Sequence, residues 1–163
     1  MMNRIRRKSC LRKVMQLLAI SLISMLLFGC GDMITDSNHE YEWNNIILNF
    51  EVPDEWNDCE INDTEYEDYK PVDITFNDCM VATIYIGTVE FYESEKITWG
   101  LYDTRIIEQT DQGIVFVTFT DEEMRTDPKP LEFPLSDDLF EEYKEKFNYA
   151  DEFISTISVN ISE

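Results

Sequence analysis

The stretch at residues 72–86, VDITFNDCMVATIYI, decides the fold of this chain. Residues 72–76 alternate apolar and polar side chains, which is the period of a strand with one buried face. Asn77 and Asp78 follow as a turn signal, and residues 80–86 are then almost continuously apolar. Such a run is typical of a central strand that is covered on both faces. We therefore predict a β-sheet with residues 80–86 near its middle.

Further strands surround this stretch on both sides. Alternation and a β-branched or aromatic composition predict strands at residues 46–52, 88–92, 96–102, 104–110, 114–120 and 156–161. Residues 111–113, Asp-Gln-Gly, supply a hairpin turn before the strand at 114–120. Residues 57–71 are dense in Asp, Glu, Asn and Tyr without a clear period, which indicates a loop or a short irregular edge segment.

A helix is predicted after most of the strands. Ser136 is a good N-cap, and the two aspartates that follow it suit the positive end of the helix dipole. Leu139, Tyr143 and Phe147 recur every four residues and form one apolar stripe, and a further helical turn is predicted at residues 150–154. This order predicts an α+β fold, in which a mostly antiparallel sheet carries a C-terminal helix on one face.

The first thirty residues have a different character. Six basic residues and no acidic residue precede an apolar run at residues 14–28, and Gly29 and Cys30 follow it. This order is typical of a secretory signal peptide. The run is 15 residues long, which is shorter than the roughly 20 that a transmembrane helix needs. A plain cleaved signal and a retained membrane anchor remain the alternative interpretations.

Residues 27–30, Leu-Phe-Gly-Cys, resemble the lipobox of bacterial lipoproteins. The resemblance implies cleavage after Gly29 and a diacylglyceryl group on the Cys30 sulfur, which would hold the protein on the extracytoplasmic face of the cell membrane. The chain then divides into a lipoprotein signal peptide at residues 1–29, an acidic tether at residues 30–45 and a single globular domain at residues 46–163.

The charge of the mature chain restricts the classes of partner that it can bind. All six leader bases leave with the signal peptide, so seven Lys and Arg remain against 34 Asp and Glu, a formal charge of −27. Such a surface repels nucleic acid and anionic headgroups, and we predict no nucleic-acid partner. A protein partner with a basic or neutral face is compatible with it. The alternative interpretation is that the acids serve solubility alone.

The cysteines predict one disulfide. Cys10 leaves with the signal peptide and Cys30 carries the lipid, so Cys59 and Cys79 remain in a compartment that can be oxidising. Two cysteines in that setting most simply pair, and closing a loop of about 20 residues contributes on the order of 3 kcal/mol. Two buried free thiols are the alternative.

An irregular cation site is a weaker candidate. Asp58, Glu60, Asp63 and Glu65, with two further acids at 67 and 68, place oxygen ligands of the kind that calcium prefers in one short segment. The spacing does not follow the EF-hand pattern, and the alternative interpretation is a solvated acidic loop. We predict no cofactor.

Catalytic chemistry is not indicated. His39 is the only histidine, and it falls in the predicted tether, where a rigid catalytic triad is not expected. The sequence contains neither a nucleophile elbow nor a glycine-rich phosphate loop nor a zinc-protease motif. Trp56 and Trp99 are candidate stacking platforms for a sugar, although strand aromatics more often belong to the core.

Two short stretches resemble PsbP-like domains. One is a strand that runs into Pro53-x-x-Trp56, and the other is a closing helix and strand at residues 153–159, Phe-Ile-Ser-Thr-Ile-Ser-Val. The resemblance covers about residues 46–161 and implies an α/β/α sandwich. It also implies an accessory role in protein–protein contact and carries over no catalytic residue.

These observations predict a lipid-anchored extracytoplasmic protein whose small acidic domain is not an enzyme and binds or scaffolds a protein partner. Two other classes stay open at this point. One is a lipoprotein that binds calcium or another small ligand, and the other is a small envelope hydrolase that uses a carboxylate pair.

Overall fold

A computed structural model describes residues 38–120, 129–130 and 133–162. The strands within these residues are β1 Asn38–Trp43, β2 Ile46–Glu51, β3 Glu60–Asp63, β4 Tyr69–Phe76, β5 Cys79–Gly87, β6 Asp103–Gln109, β7 Ile114–Phe119 and β8 Ser158–Ile161. The helices are α1 Val89–Ser94, α2 Lys96–Trp99, α3 Asp137–Lys146 and α4 Ala150–Thr156, with short 3-10 turns at Asp54–Trp56 and Phe147–Tyr149. The predicted signal peptide, Cys30 and the first part of the predicted tether lie outside the described residues.

The strands form two antiparallel sheets. The five-stranded sheet has the order β3-β4-β5-β7-β6, and the three-stranded sheet has the order β1-β2-β8. The central position predicted for residues 80–86 is confirmed, because β5 pairs with β4 on one side and with β7 on the other. Asn77 and Asp78 close the β4–β5 hairpin with φ of 48° and 63°, the left-handed conformation that such tight hairpins require.

The main core lies on one face of the five-stranded sheet and is shared with the three-stranded sheet and the C-terminal helices. Leu48 and Phe50 of β2, Ile84 of β5, and Tyr143 and Phe153 of α3 and α4 are all completely or almost completely buried in one cluster. The predicted α+β fold with a C-terminal helix is therefore confirmed.

The predicted start of α3 is also confirmed, and its contacts explain where the helix sits. The Ser136 hydroxyl accepts a hydrogen bond from the Leu139 amide at 3.4 Å and caps the helix. The Tyr143 hydroxyl donates to the Met80 carbonyl at 2.8 Å and fixes the helix to β5. The buried face of α3 and this hydrogen bond both hold the helix against the sheet.

Two predicted strands are helices instead. Residues 89–94 form α1 and residues 96–99 form α2, and residues 100–102 make the turn that follows. The hydroxyl of Thr88, the N-cap of α1, accepts a hydrogen bond from the Phe91 amide at 3.1 Å. The strand prediction is wrong because β-branched and aromatic residues of this segment pack, as parts of two short helices, against the outer face of the sheet. Intrinsic strand propensity is weak enough for such packing to override it.

The tether prediction is wrong for residues 38–45. Asn38–Trp43 form β1, which pairs along its whole length with β2, and the turn at Asn44 and Asn45 joins the two strands. Trp43 is buried, and the Tyr41 ring stacks on Phe50 at a centroid distance of 5.9 Å. The buried side of β1 is aromatic rather than aliphatic, so its alternation is easily missed in a polar segment.

Candidate functional site

The four acids of the predicted cation site do not converge. Glu60 and Asp63 are three residues apart on β3, so they leave the strand on opposite faces. The Lys70 ammonium lies 3.0 Å from the Asp63 carboxylate and 3.9 Å from that of Glu65, and Asp58 pairs with a lysine of α3. Across the described ranges, no group of three or more His, Cys, Asp or Glu side chains could hold a metal ion. The described residues therefore do not bring the four acids together as a cation site, since Asp63 and Glu65 face Lys70 while Asp58 pairs with Lys146.

Asp58 has a structural role. It accepts a hydrogen bond from the ammonium of Lys146, which is only 6% exposed at the end of α3. The same ammonium donates to the Glu55 carbonyl at 2.8 Å and lies 4.6 Å from the centroid of the Phe76 ring. The Trp56 indole N–H in turn donates to the Lys146 carbonyl at 2.9 Å. These contacts fasten the turn after β2 to the end of α3.

Neither tryptophan predicted as a sugar platform is available for one. Trp56 is completely buried and packs against Phe153 with ring centroids 4.8 Å apart. Trp99 is 8% exposed, and its indole N–H donates to the Tyr92 carbonyl at 3.1 Å. The sugar-platform prediction is wrong because both rings are core residues.

Cys59 and Cys79 are both buried and both free thiols, so the predicted disulfide is not formed. Cys79 opposes Phe76 across β4 and β5, and Glu60, the first residue of β3, opposes Thr75 on the other side of β4, so extending that register by one residue sets Cys59 against Phe76. Strands on either side of a third are about 9–10 Å apart, and a disulfide requires Cα atoms within about 7 Å. Burial raises the pKa of the Cys59 thiol to about 12, so it is protonated and unreactive at neutral pH.

His39 lies in β1 and not in a tether. Its ring stacks on Phe50 of β2 with a centroid distance of 5.3 Å and an interplanar angle of 27°. The only histidine of the chain therefore belongs to the interface between two paired strands.

The outer face of the five-stranded sheet carries a second, smaller cluster of aromatic side chains under α1 and α2. We call it the aromatic face, and its residues are Tyr66, Tyr69, Tyr85, Phe91, Tyr92, Trp99 and Phe116. These rings pack in stacked and edge-to-face pairs, the arrangements that the aromatic quadrupole favours.

Short ring distances make the aromatic face a rigid support. Tyr69 stacks on Phe91 at a centroid distance of 4.0 Å and an angle of 5°, and Tyr85 stacks on Phe116 at 4.8 Å and 11°. Trp99 lies 5.1 Å from Phe116 and so brings α2 down onto the sheet. Each aromatic pair adds about 0.5–1.5 kcal/mol beyond its buried area, so α1 and α2 are held firmly although both are short.

Two phenols on this face, those of Tyr69 and Tyr85, have raised pKa values. Burial raises the pKa of Tyr85 to about 12, with the Asp73 carboxylate adding to the effect. Burial is also the main cause that raises the pKa of Tyr69, helped by its neighbour Tyr66. These tyrosines therefore supply aromatic surface and hydrogen-bond donors rather than anionic groups.

A ridge of exposed apolar side chains borders the aromatic face. Ile97 is 90% exposed, Leu101 65%, Ile106 49% and Tyr102 37%. Ile97 and Leu101 flank the buried Trp99 on α2 and the turn after it, and Ile106 of β6 is directly opposite Phe116 in the sheet register. We call these four residues the apolar ridge. Single exposed apolar residues are ordinary, but four of the six large hydrophobic side chains that are exposed in the described residues lie within these ten positions, which makes this segment the candidate interaction surface.

The cations beside the ridge are already engaged. The Lys96 ammonium lies 3.0 Å from the Glu93 carboxylate. The Arg105 guanidinium lies 3.0 Å from the Asp103 carboxylate and also pairs with Asp151 of α4, and these hydrogen bonds raise the pKa of Arg105. The surroundings of the ridge are consequently acidic.

Comparison with known proteins adds no family. The chain matches no protein-family model, no curated protein and no solved structure. The resemblances to lipoproteins and to PsbP-like domains therefore stay predictions. Among the helices given above, all of them within the described residues, none has both the length and the apolar character that crossing a bilayer requires.

The sequence contained no signal that separates the ridge from the core. Ile97 and Leu101 are four residues apart, a spacing that puts two side chains on one face of a helix and equally on one face of the strand predicted for residues 96–102. The position of α2 on the sheet, which depends on Trp99 and Phe116, turns these two side chains outward.

Proposed function

We propose that this protein is a lipid-anchored, extracytoplasmic, non-catalytic binding module that holds a protein partner through the apolar ridge. The observation that carries the proposal is the exposure of Ile97, Leu101, Tyr102 and Ile106 on a rigid support in a strongly acidic chain. A partner that buried the Ile97 side chain, which is 90% exposed, would gain about 1.5–3 kcal/mol, and the less exposed members of the ridge would each add less.

Anchoring is supported by the sequence of residues 1–30. The basic leader, the short apolar run and the Leu-Phe-Gly-Cys ending make Cys30 the lipid attachment site of the proposal. Seven residues then separate Cys30 from β1 at Asn38, so the folded domain would lie close to the membrane. Seven residues span at most about 25 Å even when fully extended.

The resemblance to PsbP-like domains supports a partner rather than a substrate. The residues on which this resemblance rests contribute to the fold. Trp56 is completely buried beneath α3, and residues 153–159 run from the second half of α4 into β8. An accessory role in protein–protein contact needs no catalytic group, and we propose none.

Two experiments test the two halves of the proposal. For the anchor, Cys30→Ser should move the protein from the membrane fraction to the soluble fraction, whereas Cys10→Ser in the leader should leave it in the membrane. Equal fractionation of both variants would reject lipid attachment at Cys30.

For the partner, a photo-crosslinking amino acid at Leu101 should give a discrete crosslinked product in intact cells, and the same probe at Ile161 should not. Ile161 is a suitable control because it is also exposed and apolar, at 39%, but lies on β8 of the other sheet. Identical product patterns from the two positions, or none from Leu101, would reject binding at the ridge.

A further inference from the structure

We infer that the apolar ridge binds a basic amphipathic segment of the partner, in which apolar side chains cover the ridge and lysines or arginines meet the surrounding carboxylates. This inference rests on the proposed function, since it names the chemistry of the partner at the same surface. Three observations support it: the charge balance of the ridge segment, the arrangement of the ridge and the charge of the whole chain.

The ridge segment has an excess of carboxylates. Residues 89–109 contain two basic residues and five acidic ones, which are Glu90, Glu93, Glu95, Asp103 and Glu108. Both bases already form ion pairs with acids, Lys96 with Glu93 and Arg105 with Asp103 and Asp151. An incoming cation would therefore meet carboxylates and would not have to compete with a free cation of residues 89–109.

The arrangement of the ridge favours an amphipathic occupant over a single inserted side chain. Ile97 is exposed on α2, Leu101 in the turn after it and Ile106 on the strand β6, so the exposed apolar groups are spread along ten positions and are not gathered at one point. Several separate apolar groups are covered best by a stripe of apolar side chains, and acidic surroundings favour basic residues beside that stripe.

The charge of the whole chain disfavours the other occupants. A second copy would bring another net charge of −21, or −27 without the leader, against the same acidic surface. An anionic membrane is repelled for the same reason, within a Debye length of about 8 Å at physiological salt. The binding of a basic amphipathic segment is favoured both by its apolar contact with the ridge and by the electrostatic field of the acidic chain.

The test uses the full-length protein in phosphatidylcholine nanodiscs and a fluorescein-labelled peptide of 18 residues in which leucine and lysine follow a helical period. A matched peptide carries glutamate at every lysine position, and empty nanodiscs measure binding to lipid. Fluorescence anisotropy gives the affinity at 50 mM and at 500 mM salt.

The lysine peptide should bind, and Leu101→Asp should weaken binding by about tenfold or more, because it removes an apolar contact of the size that controls affinity. Ile97→Asp should act similarly, and Ile161→Asp should change the affinity by less than about twofold. Raising the salt should also weaken binding by about tenfold, since surface charge pairs are screened. Each ridge variant should retain the melting temperature of the wild-type protein, because both side chains are exposed.

Equal binding of the lysine and glutamate peptides, or equal binding to wild-type and Leu101→Asp protein, would overturn the inference. Stronger binding of the protein to itself or to bare lipid at the ridge would overturn it as well. If the Leu101 crosslink is found while the lysine peptide fails to bind, the proposed function stands and the basic segment alone is rejected. Without that crosslink, the proposed function itself is rejected.

Discussion

Replacing Lys146 tests whether the buried contacts between α3 and the turn after β2 hold the fold together. In Lys146→Met the aliphatic stem stays over the Phe76 ring, and the ammonium that donates to the Glu55 carbonyl and the Asp58 carboxylate is lost. A hydrogen bond to a charged group contributes about 1.5–3 kcal/mol. Since the Asp58 side chain is 55% exposed and can rehydrate, we expect a loss of about 2 kcal/mol rather than the 3–5 kcal/mol of a fully buried pair.

Two further variants separate the stabilising contribution of the ammonium group from those of the aliphatic stem of Lys146 and of the Asp58 carboxylate. Lys146→Ala also removes the stem and leaves a cavity beside Phe76, so the loss should rise to about 3–4 kcal/mol. Asp58→Asn should cost less than about 1 kcal/mol, because this partner is half exposed. The matched control is Lys96→Met, whose ion pair with Glu93 is on the surface and should contribute less than about 0.5 kcal/mol.

Urea unfolding followed by fluorescence of the buried tryptophans measures these differences. For a domain of this size, a loss of 2 kcal/mol corresponds to a fall in melting temperature of roughly 8 °C. The reasoning is refuted if Lys146→Met is as stable as the Lys96→Met control. It is also refuted if Asp58→Asn is as destabilising as Lys146→Met, because the exposed carboxylate would then carry the effect.

Three shorter predictions follow from other parts of the structure. Gly113→Ala should destabilise the protein by about 1–3 kcal/mol in urea unfolding, because a Cβ there would lie 2.7 Å from the Gly87 carbonyl oxygen; unchanged stability would contradict this close approach. Thr88→Ala should cost about 1 kcal/mol and Thr88→Ser much less, because only the hydroxyl caps α1; equal losses would exclude the cap. Cys59 and Cys79 should resist iodoacetamide at pH 8 in the folded protein and react fully in urea without reductant, as peptide mass spectrometry would show; a disulfide-linked peptide pair would be the contrary result.

Strands with one buried face could be predicted well from the sequence. Residues 46–52 alternate because Ile46, Leu48 and Phe50 enter the core while the residues between them face outward. The turn at Asn77 and Asp78 was equally clear, since few residues tolerate positive φ and these two do. In both cases the signal comes from the local backbone and one burial pattern, so no distant contact is needed to see it.

Elements that depend on distant contacts could not be predicted. α1 and α2 contain strand-forming residues, and their helical form depends on Trp99 reaching Phe116 on a strand that comes later in the chain. The pairing of Asp58 with Lys146 joins residues that are 88 positions apart, so the acidic segment looked like a free cation site. Short-range patterns do not contain this information.

The candidate site, too, could be predicted only where its features depend on the sequence alone and not on distant contacts. The acidic character of the chain follows from its composition, and the sequence itself contains none of the catalytic motifs considered above. The apolar ridge could not be predicted, because Ile97 and Leu101 have the same chemistry as core residues and only the fold decides which apolar side chains remain in water.

The three-stranded sheet has a consequence for the timing of folding. Its middle strand β2 pairs with β8, so Ile46 meets Ile161, and the Thr156 hydroxyl donates to the Glu51 carbonyl across a separation of 105 residues. The hairpins of the larger sheet can form from neighbouring segments, whereas this sheet must wait for a long loop to close. As the chain is synthesised from its N-terminal end, β2 therefore emerges with one open edge and keeps it until the last strand arrives. That interval is when the protein is most exposed to proteases and to strand exchange with other chains.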